Sequence, residues 1–269
     1  MLHVLALIVT TLPSALTNGR FFYTPDVRGR QVRIWLDTDG DGFITYNAAR
    51  SLRLEVDGRR ARFPVGAGLV TPLASDGFLP LFDGSISDRI FEGIDAQFGA
   101  TWFAGRITRF DYRRKTLSLL DAVPVTAGRL GRAEIAAPHS LIVTVNGENI
   151  AMALDIAATV VLGDVAESRM HDSWGAVRAT SFLRSDVMAK WHAANPRWPY
   201  VPNAGAGGVA ALCVPQLSVG SYRAVNVWFS TRPKDDVFEG ETVSGKIGPT
   251  AFRDAVLTLD YLNRMAYFD

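Results

Sequence analysis

Two segments of this chain follow one plan, and that repeat limits the fold more than any single motif does. Residues 20–44 read RFFYTPDVRGRQVRIWLDTDGDGFI, and residues 139–162 read HSLIVTVNGENIAMALDIAATVVL. Each is an apolar strand, a polar turn, and a second apolar strand that closes on Leu-Asp. Asn146-Gly147 is a hairpin turn signal, because both residue types accept positive φ. Asp37 and Asp155 fall at the same place in the two hairpins.

The ends of the two halves correspond as well. GRITRFDYRRKTLSLLD (105–121) and DAVLTLDYLNRMAYFD (254–269) align on Asp111-Tyr112 and Asp260-Tyr261. A glycine segment and a short helix-like run precede each, FEGIDAQFGATWFAG in the first half and VSGKIGPTAFRD in the second. Pro249 suits the first position of such a helix. The pattern predicts an all-β chain of two similar lobes, 18–121 and 136–269, joined by a Gly- and Pro-containing linker at 122–135. Short helices are expected at 46–54 and at 184–194, the second stopped by Asn195-Pro196.

Composition narrows the function. Hydrophobic residues make up 48% and charged residues 20%, enough apolar matter for a core. Lys+Arg is 28 against Asp+Glu 27, so charge offers no hold on nucleic acid. The single cysteine, Cys213, excludes an internal disulfide and reads as a buried small hydrophobe. His139, His171 and His192 lack metal-ligand spacing, and no metal or cofactor is expected. Trp174, Trp191, Trp198 and Tyr200 read mostly as core. No segment reaches the ~18 apolar residues of a membrane span. The apolar start, with small residues at Ser14, Ala15 and Thr17, reads as a secretory leader over 1–17. That leader predicts a periplasmic or secreted protein; read instead as an apolar strand, the same stretch leaves the protein cytoplasmic.

Taken alone, DTDGDGFITYNA (37–48) is a calcium loop. Asp37, Asp39 and Asp41 stand at ligand positions and Gly42 at the turn position. Ala48 stands where the bidentate carboxylate belongs, and no helix leads in, so a calcium-binding loop protein is an alternative only. GETVSGKI (240–247) imitates a phosphate loop but ends in Ile247, which cannot hold Mg²⁺.

GRQVRIWLDTDGDGFITYNAARSLRL resembles the pattern of pepsin/retropepsin-like aspartic peptidases in their compact two-lobed bacterial form. That pattern is a hairpin, an apolar strand, Asp-Thr-Gly-Ala and a small-residue helix. FDYRRKTLSLL is similar to the closing hairpin, and the resemblance covers about residues 18–269. It implies two β-barrel-like lobes with a few short helices and an interlobe cleft. It further implies a monomeric endopeptidase acting on polypeptides, with Asp37 and Asp155 as the catalytic dyad. In such a site two carboxylates about 3 Å apart share one proton: the charged one activates water and the neutral one protonates the peptide carbonyl.

The triplets depart from Asp-Thr/Ser-Gly. Thr38 keeps the hydroxyl that pins the loops across the lobes. Asp39 replaces glycine and adds a third carboxylate, which raises the pKa values of the dyad; a one-residue bulge would let Gly40 serve instead. In the second lobe Ile156 lacks the hydroxyl and Ala157 carries a methyl where glycine fits. The glycine turns are expected at Gly93-Ile94-Asp95-Ala96 and at Gly245-Lys246-Ile247-Gly248, and a flap over the cleft at 62–73. These departures make an inactive homologue that binds peptide in the cleft the alternative.

Overall fold

The computed structural model describes residues 7–66, 69–72, 76–83, 89–136, 139–170, 172–232, 238 and 242–269. Strands dominate and form three large sheets, of eight, seven and six strands. The eight-stranded sheet is built from residues 14–98, and the seven-stranded sheet from residues 140–247. The six-stranded sheet draws on both halves. Its order is Val9–Leu12, Thr116–Leu120, Ile107–Asp111, Val256–Asp260, Met265–Phe268 and Gly131–Glu134. The fold is all-β and two-lobed, as expected.

At the centre of the shared sheet the closing hairpins meet antiparallel, Ile107 opposite Asp260 and Asp111 opposite Val256. Their turns are built alike. Asp111 Oδ1 accepts from Arg114 N at 2.8 Å, and Asp260 Oδ1 accepts from Asn263 N at 3.0 Å. Each carboxylate thus satisfies a turn N–H that the ladder cannot reach. Lys115 (φ 59°) and Arg264 (φ 55°) complete the reversals.

One continuous apolar core runs under the sheets of both lobes. Phe21, Trp102, Phe103 and Phe110 join Leu141, Leu212, Phe229, Leu257 and Phe268 in it. Burying one such side chain stabilises by roughly 1.5–3 kcal/mol, so lobes sharing a core resist separation. The apolar start contributes two strands. Val9–Leu12 pairs with Thr116–Leu120, and Ser14–Thr17 pairs with Arg20–Tyr23 across a turn at Asn18-Gly19, both at positive φ.

The helices sit close to the expected places. The first covers Tyr46–Ser51, capped by Thr45, whose hydroxyl accepts from Ala48 N at 3.1 Å. It stops short of 54 because Arg53 turns left-handed (φ 50°). The second covers Ser185–Ala194 and ends at Asn195. Gly131–Glu134, inside the stretch 122–135, forms an edge strand of the shared sheet.

The lobes differ most just after the two aspartates. In the first, five residues separate Asp37 from the strand Phe43–Thr45, which runs antiparallel to Ala96–Phe98. In the second, the strand in that role is Ser181–Leu183, antiparallel to Gly245–Ile247. Between Asp155 and Ser181 lies an extra unit: the ribbon Thr159–Val161 with Val177–Ala179, and the helix Asp164–Met170. Thr180 N bonds Ala158 O at 2.8 Å and closes its base. The unit also ties to the first lobe, since Asn18 donates to Val177 O at 2.9 Å and Ala179 N donates to Asn18 O.

Candidate active site

Both aspartates leave strands in the same register. Ile34–Leu36 lies parallel to Ala96–Phe98 with Phe98 opposite Leu36, and Asp37 N bonds Phe98 O at 3.0 Å. Glu148–Leu154 lies parallel to Gly245–Ile247 with Ile247 opposite Leu154, and Asp155 N bonds Ile247 O at 3.0 Å. A glycine follows each partner strand, Gly99 and Gly248. A Cβ on Gly99 would strike Gly40 O, and one on Gly248 would strike Thr180 O. Only glycine allows that approach.

This corrects the expected position of the first glycine turn. The equivalent of Lys246-Ile247-Gly248 is Gln97-Phe98-Gly99, not a residue of Gly93–Ala96. Gly93, at φ 70°, closes a turn before the strand instead.

Thr38 is fully buried and crosses between the loops. Its hydroxyl donates to Leu154 O at 2.6 Å and accepts from Ile156 N at 3.1 Å. Ile156 has no hydroxyl to return and packs into the main core instead. One side chain therefore makes the pinning contacts that a symmetric site would make with two.

The Asp37 carboxylate is surrounded by donors. Oδ1 accepts from Asp39 N at 2.9 Å and from Gly40 N at 3.0 Å, and Oδ2 accepts from Gln97 Nε2 at 3.0 Å. Gln97 also donates to Asp41 O at 2.8 Å, which holds its amide in place. A Cβ on Gly40 would collide with Asp37 Oδ2, so Gly40 takes the role that the bulge assigns to it. Asp39 contributes its N–H while its carboxylate turns to an ion pair with Lys246, both side chains nearly buried. Asp155 receives less: its Oδ1 accepts from Ala157 N at 2.9 Å.

Electrostatics follow from that geometry. Burial pushes Asp37 up to about 6; the Asp39 charge adds to this, while the Asp39 and Gly40 N–H groups and Lys246 oppose it. Burial also pushes Asp155 well above the usual carboxylate range, followed by the charges of Asp37 and Asp39, against Lys246 and the Ala157 N–H. With one N–H donor against three, the charged form of Asp155 is the less supported of the two.

The carboxylates line one cleft of about 260 Å³. Its first-lobe wall is aromatic: Phe43 packs on Phe82 (4.6 Å between ring centres), Phe82 on Phe91 (5.1 Å), and Phe91 on Trp35 (5.8 Å). Ala157, Thr159, Phe182 and Arg232 line the other side. A larger cavity of about 500 Å³ lies in the second lobe around Tyr200, Cys213 and Trp228, and neither aspartate reaches it.

The described part of the expected flap, 62–73, lines none of the dyad cleft, which corrects that expectation. Val70 N bonds the Tyr23 hydroxyl, Trp102 donates to Val70 O, and Arg106 donates to Thr71 O, holding the segment on the flank of the lobe. Residues 67, 68 and 73 lie outside the described residues, as does His171. His192 stacks on Tyr200 and His139 lies edge-on to Tyr261. Of the four second-lobe aromatics, only Trp191 is fully buried. Among the described residues no group of three or more His, Cys, Asp or Glu side chains is placed to hold a metal ion. The loop of the calcium alternative turns N–H donors toward Asp37, where a cation site would turn oxygens toward an ion.

Gln97, Lys246, Phe91 and Arg232 did not emerge from the sequence. Gln97 and Lys246 each stand two residues before a close-approach glycine, and counting back from Phe98-Gly99 and Ile247-Gly248 would have found them.

No family model matches the chain, and no curated protein matches it. Among solved structures it is similar to the aspartic proteinase from Irpex lacteus, with a TM-score of 0.57 and 10% sequence identity over 97% of each chain. At that identity the likeness shows the fold, a two-lobed pepsin-like architecture. Among the described residues no helix is long and apolar enough to cross a membrane.

Proposed function

We propose that the protein is an aspartic-type endopeptidase that hydrolyses peptide bonds in the interlobe cleft with Asp37 and Asp155 as its dyad. The observation that carries this is the placement of two carboxylates at the same register of two equivalent strand pairs, lining one cleft, with the Asp37 charge raising the proton affinity of Asp155. Asp155, whose charged form is the less supported, protonates the scissile carbonyl. Asp37, whose charged form three donors stabilise, takes a proton from the attacking water. Thr38 fixes the spacing of the loops. Lys246 neutralises Asp39, so the carboxylate in the glycine position does not load the dyad with a second full negative charge. That pairing favours an active site over an inactive peptide-binding homologue.

Digestion of an unfolded protein between pH 4 and 8 tests this. Asp37→Asn and Asp155→Asn are each expected to lower cleavage by roughly 10²–10⁴-fold, the range for losing an acid–base group. Cleavage that survives both substitutions rules the dyad out, and a wild-type chain that cuts nothing rules the peptidase out.

A further inference from the structure

We propose that Arg232 is a specificity-determining residue that recognises a carboxylate on the bound polypeptide; this rests on the peptidase function proposed above. Arg232 lines the dyad cleft and also the adjoining cavity of about 210 Å³ formed by Ile90, Val161 and Val209. With Thr159 and Phe182 it lines both, and so stands where the two meet. Its guanidinium lies over the ring of buried Phe182, 5.2 Å from the ring centre. That contact holds the guanidinium at the cleft, and its terminal N–H groups suit a carboxylate acceptor.

Among the described residues the charge of Arg232 is not otherwise engaged. Its Nε is buried with no hydrogen-bond partner, and among the described residues it forms no ion pair. A buried donor without an acceptor is costly, and an incoming carboxylate relieves that cost. The dyad does not use this charge either. Lys246 is the cation that acts on Asp37 and Asp155, and it is already paired with Asp39. On the first-lobe wall, Trp35, Phe43 and Phe91 offer apolar surface and an indole that suit an apolar side chain, while Gln97 there is already bonded to Asp37 and Asp41. The cleft therefore selects an apolar residue with a carboxylate near it. That carboxylate belongs to a Glu or Asp side chain or to a free C-terminus.

Peptide binding to the Asp155→Asn variant, followed by titration calorimetry, separates these cases. Four peptides share an apolar pair and differ in one flanking residue, Glu or Gln, and in a C-terminal acid or amide. We expect at least one acid-bearing peptide to bind about tenfold more tightly than the Gln amide. A Glu/Gln difference assigns the side chain, and an acid/amide difference assigns the terminus. Arg232→Gln in the same background should abolish the preference, and Arg232→Lys, which keeps the charge and most of the packing, should keep part of it. Equal binding of all four peptides, a preference that survives Arg232→Gln, or no binding at all overturns the proposal. Cleavage by the wild-type chain is scored separately: its absence refutes the peptidase, while the binding series still decides the role of Arg232.

Discussion

The loop after Leu36 and the loop after Leu154 start from the same register yet are finished differently. The first is short and polar; it gives Asp37 two N–H donors, to which Gln97 adds a third from the neighbouring strand, and sends Thr38 across to the other lobe. The second is apolar, gives Asp155 the Ala157 N–H, and then carries an extra ribbon and helix before the sheet resumes. A two-aspartate site needs the two carboxylates to differ, one charged and one protonated. Here the two carboxylates differ in the donors they receive and in burial.

The largest expected effect breaks the crossing contact. Thr38→Val keeps shape but leaves Leu154 O and Ile156 N buried without a partner, at about 1–3 kcal/mol each. Urea unfolding should show a loss of roughly 2–4 kcal/mol, with Thr38→Ser recovering most of it. A loss under ~0.5 kcal/mol would mean that the shared core alone fixes the lobes.

Next comes the cation. Lys246 lowers the proton affinity of both carboxylates, so Lys246→Met raises it. Asp37 then ionises only at higher pH, and the acid limb of the pH–rate profile should move up from about 6 by roughly one unit. Adding Asp39→Gly, which removes the charge that Lys246 offsets, should bring the limb back down. An unmoved limb in Lys246→Met would show that the ion pair does not tune the dyad.

The smallest effect makes the second loop resemble the first. Ile156→Thr loses a little buried apolar surface and gains a hydroxyl able to cross back, two terms of about 1 kcal/mol and opposite sign. Thermal unfolding should change little, whereas Ile156→Ala, with no compensating bond, should lose roughly 2–4 kcal/mol. Equal losses from both would show that no reciprocal partner is in reach.

How much of this was legible depended on the range of the interaction. Leu36-Asp37 and Leu154-Asp155 could be read because strand alternation and an Asn-Gly turn are local signals. Gly40 could be read because a displaced glycine beside Asp37 has few other uses. The extra unit at 159–180 could not be read: ATVVL looks like the continuation of one strand until its pairing with Val177–Ala179 is seen. The flap was misplaced for a related reason, since glycines in 62–73 suggest freedom while Tyr23, Trp102 and Arg106 bind that backbone from distant positions.

The sequence by itself determined an all-β chain of two related lobes and the two aspartates, because hydrophobic period and turn chemistry act over a few residues. The tertiary structure alone decided the surroundings of those aspartates. Gln97 reaches Asp37 over a separation of 60 residues, Thr38 reaches Leu154 over 116, and Lys246 reaches Asp39 over 207. Proton affinity and recognition depend on such through-space neighbours, and nothing in the local order of residues encodes which distant side chain a folded loop will meet.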